Sequence, residues 1–378
     1  MSGRRPLRLM NPGPVTLSAR VRGALLGDDL CHREEEFATL QADVRERLVR
    51  VYSSGRDRYT SILLTGSGTT AVEAMIGSLV PSGAGKVLVA SNGIYGERII
   101  SMLEALGRNY IVVRSAWTEA IDLARVHETL TRDRAITHVL AVHHETTTGR
   151  LNDLAALGAM CGRHGVPLLV DAVSSFGGEE IDLDAWHIEA CAATANKCLH
   201  GAPGVSFVVV RRDVLEGNGS PAPSVSLDLR RHLAEQDAGR PLFTPAVQIL
   251  YALREALIEL EETGGWKRRR ARYSTMSRAL RQGLRGMGVR LLLESEDAYA
   301  SSLTSFVLPT GRSYDELHDH LKRRGYVIYA GQQSFKAVMF RIAVMGDLSM
   351  EDIDEVLVAF RELPALDDLV PAAIRAFA

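Results

Sequence analysis

From residue 59 to about 210 the chain alternates short apolar runs with amphipathic stretches. Lys86-Val-Leu-Val-Ala90, Thr137-His-Val-Leu-Ala-Val-His143 and Val166-Pro-Leu-Leu-Val170 read as strands, and so does Val205-Ser-Phe-Val-Val-Val210. Glu97 to Leu106 and Asp153 to His164 carry apolar residues at helical spacing. Strands that are apolar along nearly their whole length, separated by helices, imply an α/β fold with a mostly parallel sheet covered on both faces. Ligands of such sheets bind beyond the carboxyl ends of the strands. Asp171 and the turn His143-His-Glu-Thr-Thr-Thr-Gly149 both fall at such ends.

Beyond residue 245 the pattern changes. Pro245 to Glu262 is a long helical stretch with Leu250, Leu253, Leu257 and Leu260 on one face, and Gly264-Gly265 ends it. A second helix opens with Lys267-Arg-Arg-Arg270, which reads as a solvated helix start. Val289–Leu293, Leu303–Pro309, Tyr326–Tyr329 and Val338–Val344 then alternate with helices near Tyr314–Arg324 and from Met350. This α+β arrangement predicts three parts: an N-terminal arm over 1–20, a large domain over 21–264 and a small C-terminal domain over 265–378. The arm is expected to pack near the small domain.

Composition narrows the partners. The 378 residues are 46% hydrophobic and 24% charged, with a net charge of −2, so neither nucleic acid nor a membrane surface has an electrostatic claim. No apolar run approaches the roughly 20 residues of a membrane helix, and the N-terminus has no apolar signal core. A cytoplasmic protein is the expectation. The cysteines Cys31, Cys161, Cys191 and Cys198 show no metal-binding spacing. Gly217-Asn-Gly-Ser-Pro-Ala-Pro223 reads as a turn-rich loop.

The chemistry concentrates in two segments. Val166-Pro-Leu-Leu-Val-Asp171 delivers a carboxylate at a strand end, and Ala195-Asn-Lys197-Cys-Leu-His-Gly-Ala-Pro-Gly204 offers a lysine among small and turn-forming residues. An Asp and a Lys so presented match the two groups that pyridoxal phosphate requires, a Schiff-base amine and a partner for the pyridinium nitrogen. Gly66-Ser-Gly-Thr-Thr-Ala71, between a strand and a helix, suits a phosphate at a helix N-terminus. It also fits a dinucleotide pattern, but the next strand ends Val89-Ala-Ser-Asn92 without the acid that reading needs. Tyr95 could stack on a flat cofactor or simply pack. His143 and His144 are adjacent, so on a strand they face opposite ways and make a poor chelate; no metal is expected. Arg341, with apolar neighbours, needs an anionic partner, either a substrate acid group or an internal carboxylate.

Taken together these segments resemble the class V aminotransferases of pyridoxal phosphate fold type I, over about Leu9 to Val356. The resemblance is carried by Asn11-Pro-Gly-Pro14, Tyr59-Thr60 with Gly66-Ser-Gly-Thr69, Asn92-Gly-Ile-Tyr-Gly96, His144-Glu-Thr-Thr-Thr-Gly149, Asp171-Ala-Val-Ser-Ser-Phe-Gly-Gly178, Ala195-Asn-Lys-Cys198 with Gly201-Ala-Pro-Gly204, Ser224-Val-Ser-Leu-Asp-Leu229 and Phe340-Arg-Ile342. The Glu-Thr-Thr-Thr-Gly, Ser-Ser-Phe-Gly-Gly and Ser-Leu-Asp-Leu strings are similar to the branch that moves the amino group of 2-aminoethylphosphonate to pyruvate.

The resemblance implies a large domain on a mostly parallel seven-stranded sheet with a smaller α+β domain. It implies roles as well. Lys197 would carry the cofactor, Asp171 would face its ring nitrogen and Tyr95 would stack on the ring. Ser67, Gly68, Thr69 and Asn196 would contact the phosphate, with Thr146 and Val173 beside the ring. Thr244 would reach the phosphate of a neighbouring subunit, which implies a homodimer with shared sites. Arg341, Asn11 and Gly13 would meet the substrates, an amine donor and a 2-oxo acid acceptor. The phosphonate branch usually reads Arg-Phe-Thr-Ser-Pro where this chain has Leu242-Phe-Thr-Pro245, and Cys31-His-Arg-Glu-Glu-Glu-Phe37 resembles family members acting on ordinary amino acids. A transaminase using serine or alanine with glyoxylate is therefore the first rival. Cysteine desulfuration ranks low, because no cysteine follows Cys198 to act as nucleophile. A binding-only protein ranks low because Lys197 and Asp171 are both present.

Overall fold

The structure, a computed structural model, describes residues 6–52, 58–216 and 222–363. Residues 217–221 of the turn-rich loop, the first five of the arm and those after 363 lie outside the described residues. The central sheet is built from β1 (Tyr59–Thr65), β2 (Lys86–Ser91), β3 (Tyr110–Arg114), β4 (Ile136–Val142), β5 (Leu168–Asp171), β6 (Ile188–Thr194) and β7 (Val205–Arg211). Their spatial order is β1-β7-β6-β5-β4-β2-β3. Only β7 runs against its neighbours; all other pairings within the sheet are parallel. The chain is therefore α/β, with a mostly parallel seven-stranded sheet.

The apolar runs bury both faces because alternate residues point to opposite sides. In β5, Leu168 and Val170 join the core of Phe37, Leu157 and Leu253, while Leu169 joins that of Val72, Met75 and Ile99. The flanking helices start and stop where local chemistry allows. Asp153 caps the helix Leu154–His164 by accepting from Ala156 N–H at 2.9 Å, and Gly165 ends it at φ 66°.

A second core gathers Met10, Val15 and Cys198 with residues between Tyr273 and Phe360. Its sheet is antiparallel, with Met339–Ala343 between Leu303–Val307 and Tyr329–Ala330. The N-terminal Arg8–Leu9 pairs in parallel with Tyr326–Val327, so the arm does pack on the C-terminal part. Two expected strands differ. Tyr326–Tyr329 is two pieces: Tyr326 and Val327 bond the arm, and beyond buried Ile328 the chain switches to Met339–Ala343. Val289–Leu293 makes a single bridge from Leu291 to Phe306 and then turns into the short helix Glu296–Ala298. The basic run is also not simply solvated. It lies in the first turns of Gly265–Arg285, where Arg269 is buried and Arg270 reaches Glu179.

Candidate active site

Because β7 is reversed, the chain leaves β6 and re-enters the sheet at the same end of the strands, with residues 195–204 as a compact connection. Lys197 sits in this connection, half-buried. Its carbonyl accepts from His200 N–H at 2.9 Å, closing a tight turn, and Gly201 N–H donates to Ala195 O at 2.8 Å. The Lys197 amine donates to the carbonyl of Pro12 from the N-terminal arm. Gly13 lies against the lysine at φ 103°, and a Cβ there would fall 2.5 Å from Lys197 Cδ and 2.6 Å from Nζ. Burial lowers the amine's pKa to about 8, and the charge of Arg341 acts in the same direction.

Asp171 ends β5, buried, with Oδ1 accepting from Val173 N–H at 2.9 Å. Burial raises its pKa to about 6, against the pull of that N–H and of the charges on Arg98 and Lys197. Lys197 and Asp171 thus lie within each other's fields. His143 and His144 turn to different partners, Ser175 Oγ and Ser174 O, each at 3.0 Å. Burial lowers them to about 3 and about 4, so both are neutral at ordinary pH. His144 donates through Nδ1 to a carbonyl, which leaves Nε2 a bare acceptor, buried and without a partner.

Glu145 is fully buried. It accepts from Thr147 Oγ1 at 2.5 Å and N–H at 3.1 Å, and from Tyr95 N–H at 3.2 Å. Burial raises its pKa to about 7 despite these donors. The bonds tie the threonine turn to the start of the helix Ile94–Ala105, where Gly93 is required because a Cβ would meet Glu145 Cδ at 2.2 Å. Arg341 is fully buried and makes no ion pair among the described residues. Its Nη1 donates to Thr146 O at 2.7 Å, and Nε and Nη2 donate to Ala330 O at 3.0 and 2.7 Å. Its guanidinium also lies 5.3 Å from the centroid of the Tyr329 ring.

The helix Gly68–Leu79 begins at Ser67, whose side chain makes no capping bond. A Cβ on Gly68 would meet the Val173 methyls at 2.7 Å, so this helix start touches the turn after Asp171. Asn196 Oδ1 accepts from Thr194 Oγ1 at 2.9 Å, beside Lys197. Asn11 is buried with Oδ1 unpartnered, next to Pro12. The structure thus brings Asn11, Gly13, Gly68, Tyr95, Thr146, Asp171, Val173, Asn196, Lys197 and Arg341 together beyond the carboxyl ends of the parallel strands, with Ser67 and Thr69 at the helix start. Thr244 is not among them. It lines a groove with Leu63, Thr65, Val205 and Phe243.

These residues fit pyridoxal phosphate. A helix N-terminus without a side-chain cap suits a phosphate. A buried carboxylate and an amine of lowered pKa suit the ring nitrogen and the aldehyde. The orphaned atoms Asn11 Oδ1, His144 Nε2, Thr146 Oγ1 and Thr148 Oγ1 are buried polar groups in the surrounding turns that still need partners. Among the described residues no group of three or more His, Cys, Asp and Glu side chains is placed to hold a metal.

Sequence reasoning passed over three contributors. Arg98 lies 4.7 Å from the Tyr95 ring centroid and acts on both Asp171 and Lys197. Its spacing three residues after Tyr95, on one helix face, was the available signal. Arg269 donates to Cys198 O at 2.8 Å and Leu199 O at 3.2 Å. His200 bonds Gly346 across 146 residues, which no local pattern reveals.

Residues 24–354 match the profile of the family described as Aminotransferase class-V. The 2-aminoethylphosphonate–pyruvate transaminase of Bacillus mycoides (strain KBAB4) is 39% identical over 352 residues, 92% of this chain and 95% of the relative. A subgroup IV aspartate aminotransferase from Thermus thermophilus superposes with a TM-score of 0.85 at 26% identity, covering 98% of this chain and 100% of that one. The ureidoglycine–glyoxylate aminotransferase of Bacillus subtilis gives 0.88 at 24% identity, covering 100% and 98%, a likeness of fold. The chain belongs to the class-V aminotransferase family.

Proposed function

We propose that this chain is a transaminase that moves the amino group of 2-aminoethylphosphonate to pyruvate, giving phosphonoacetaldehyde and alanine. The observation that carries the reading is Arg341. A fully buried cation without a carboxylate partner, close enough to depress the Lys197 amine, is a site prepared for an anionic substrate. The relative at 39% identity is named for this donor and acceptor, which supports the choice.

Pyridoxal phosphate, when bound, supplies an electron-accepting ring that carries the amino group between donor and acceptor. Ser67, Gly68, Thr69 and Asn196 would hold its phosphate, Tyr95 would stack on the ring, and Thr146 and Val173 would flank it. Asp171 would keep a proton on the ring nitrogen through charge pairing. Lys197 Nζ, once neutral, would take the proton from the carbon bearing the donor's amine as general base, and as the ammonium would give it back as general acid. Arg341, with Asn11 and Gly13 beside the lysine, orients the donor so that this carbon faces Nζ. In this reading residues 21–264 hold the cofactor, and 265–378 with the arm 1–20 bring Arg341 to it.

The assembly belongs to the same proposal. Thr244 lies outside the Lys197 cluster of its own chain, in a groove beside exposed Phe243. A homodimer in which Thr244 completes the partner's phosphate cup uses this residue. No helix among the described residues is long and apolar enough to cross a membrane, and a cytoplasmic setting suits small-molecule donors and acceptors. The deciding experiment compares kcat/KM for 2-aminoethylphosphonate, serine and aspartate with pyruvate, and for the same three donors and alanine with glyoxylate. The phosphonate should lead. An α-amino acid ahead by about tenfold, or about 1.4 kcal/mol, overturns the donor and leaves a transaminase of other specificity.

A further inference from the structure

The lysine turn is held from outside the central sheet. His200 closes it through its backbone, donating N–H to the Lys197 carbonyl at 2.9 Å. Its own backbone stands in the left-handed region, at φ 68°, which a side chain bearing a Cβ seldom adopts. That conformation delivers the buried imidazole to the C-terminal part. Gly346 N–H donates to His200 Nε2 at 2.9 Å, and the Tyr273 hydroxyl meets the same nitrogen. Nε2 is therefore the unprotonated acceptor of a neutral ring, and burial keeps it so.

Gly346 has a second attachment. It bridges to Thr16, and Asp347 N–H donates to Thr16 O at 2.9 Å. A Cβ on Gly346 would meet Thr16 O at 2.8 Å, so the approach depends on glycine. Thr16 belongs to the same arm segment as Pro12, whose carbonyl receives the Lys197 amine. The contacts form a closed circuit: Lys197 carbonyl, His200, Gly346, Thr16, Pro12 and back to Lys197 Nζ. Arg269 reinforces it by donating to the two carbonyls between Lys197 and His200.

We infer that His200 is a positioning residue for Lys197, fixing through Gly346 the arm that receives the lysine amine relative to the turn that carries it. Gly346 follows closely on the strand holding Arg341. The circuit therefore also sets the lysine against the proposed acid-binding side chain. The inference rests on the assignment of Lys197 as the cofactor lysine.

The test uses full-length protein and three variants. His200→Leu keeps bulk and removes the acceptor. His200→Gln restores an acceptor near Nε2. Tyr273→Phe removes one donor with little change of shape. Borohydride labelling with pyridoxal phosphate and peptide mapping of the wild type comes first, because a label elsewhere than Lys197 defeats the assignment itself. With that label in place, His200→Leu should lower kcat about tenfold or more while the donor KM changes little, as expected for a misplaced proton carrier. The pH midpoint of cofactor capture should rise above that of the wild type, because a displaced amine is less buried. His200→Gln should recover both, and Tyr273→Phe should shift both in the same direction by less. Wild-type kcat and midpoint in folded His200→Leu overturn the inference, as does failure of His200→Gln to recover them. If His200→Leu does not fold, wild-type behaviour of Tyr273→Phe overturns it.

Discussion

Lys197 can attack an aldehyde only as the neutral amine, so its pKa sets how fast the apo-protein captures pyridoxal phosphate. Burial is the main cause of its fall from 10.5 to about 8, with Arg341 and Arg98 adding to it and Asp171 opposing. At pH 7 about one molecule in ten then carries the neutral amine, against about one in three thousand for an ordinary lysine. Between pH 7 and 8 the capture rate should rise about fivefold, and between pH 8 and 9 only about twofold more. An ordinary lysine would gain about tenfold in each step. The assay is stopped-flow absorbance of apo-protein mixed with excess cofactor across that range. Arg341→Ala removes one of the charges holding the amine neutral and should move the midpoint upward. Asp171→Asn should move it downward. The same shift affects folding. The unfolded chain holds this proton more tightly, so the lysine's contribution to apo stability rises as pH climbs from about 8 toward 10.5 and is least favourable below pH 8. A rate still climbing tenfold per pH unit above pH 8.5 would refute the reasoning, because it would mean that the lysine is solvated like any surface amine.

Asp171→Asn leaves a neutral partner for the ring nitrogen, and kcat measured with saturating substrates should fall on the order of 100-fold; near-normal turnover would free Asp171 of that role. Gly13→Ala sets a Cβ 2.5 Å from Lys197 Cδ at a backbone φ of 103°, so borohydride labelling of Lys197 should collapse and Tm should drop. If Thr244 completes the neighbour's site, sedimentation of diluted apo-protein should show monomers that pyridoxal phosphate returns to dimers, whereas a fully active monomer would dissolve the shared site.

What could be read from the chain was whatever local spacing encodes. Asp171 and Lys197 stand out because each follows or precedes an uninterrupted apolar run and is bracketed by small residues. Gly66-Ser-Gly-Thr69 stands out because small residues between strand and helix let backbone N–H groups approach an anion. Two sheet members were passed over: β3 carries Tyr110 and Arg114 at its ends, and β6, Ile-Glu-Ala-Cys-Ala-Ala-Thr, is built of small residues with weak strand preference. The basic run Lys267–Arg270 misled because charge alone says nothing of burial. Arg269 turns inward since the lysine turn offers it two carbonyls. Tyr273 and Gly346 meet His200 only once both cores have formed, so nothing near them in sequence announces the contact.

The reversed strand β7 has a consequence for folding order. It lies between β1 and β6, with Val205 registered against Thr65 and Ser206 against Thr194. Its partner β1 is contributed by an early part of the chain, so the pairing is long-range in sequence and closes a large loop. Gly66 N–H bonds Gly204 O at 2.9 Å, so the turn beside the proposed phosphate cup and the end of the lysine connection are joined by that same event. A chain in which β7 has not yet inserted holds the cup and the lysine on separate, uncoordinated pieces. Tight capture of pyridoxal phosphate at Lys197 would then require that pairing, so during refolding colour should appear no earlier than β7 joins β1.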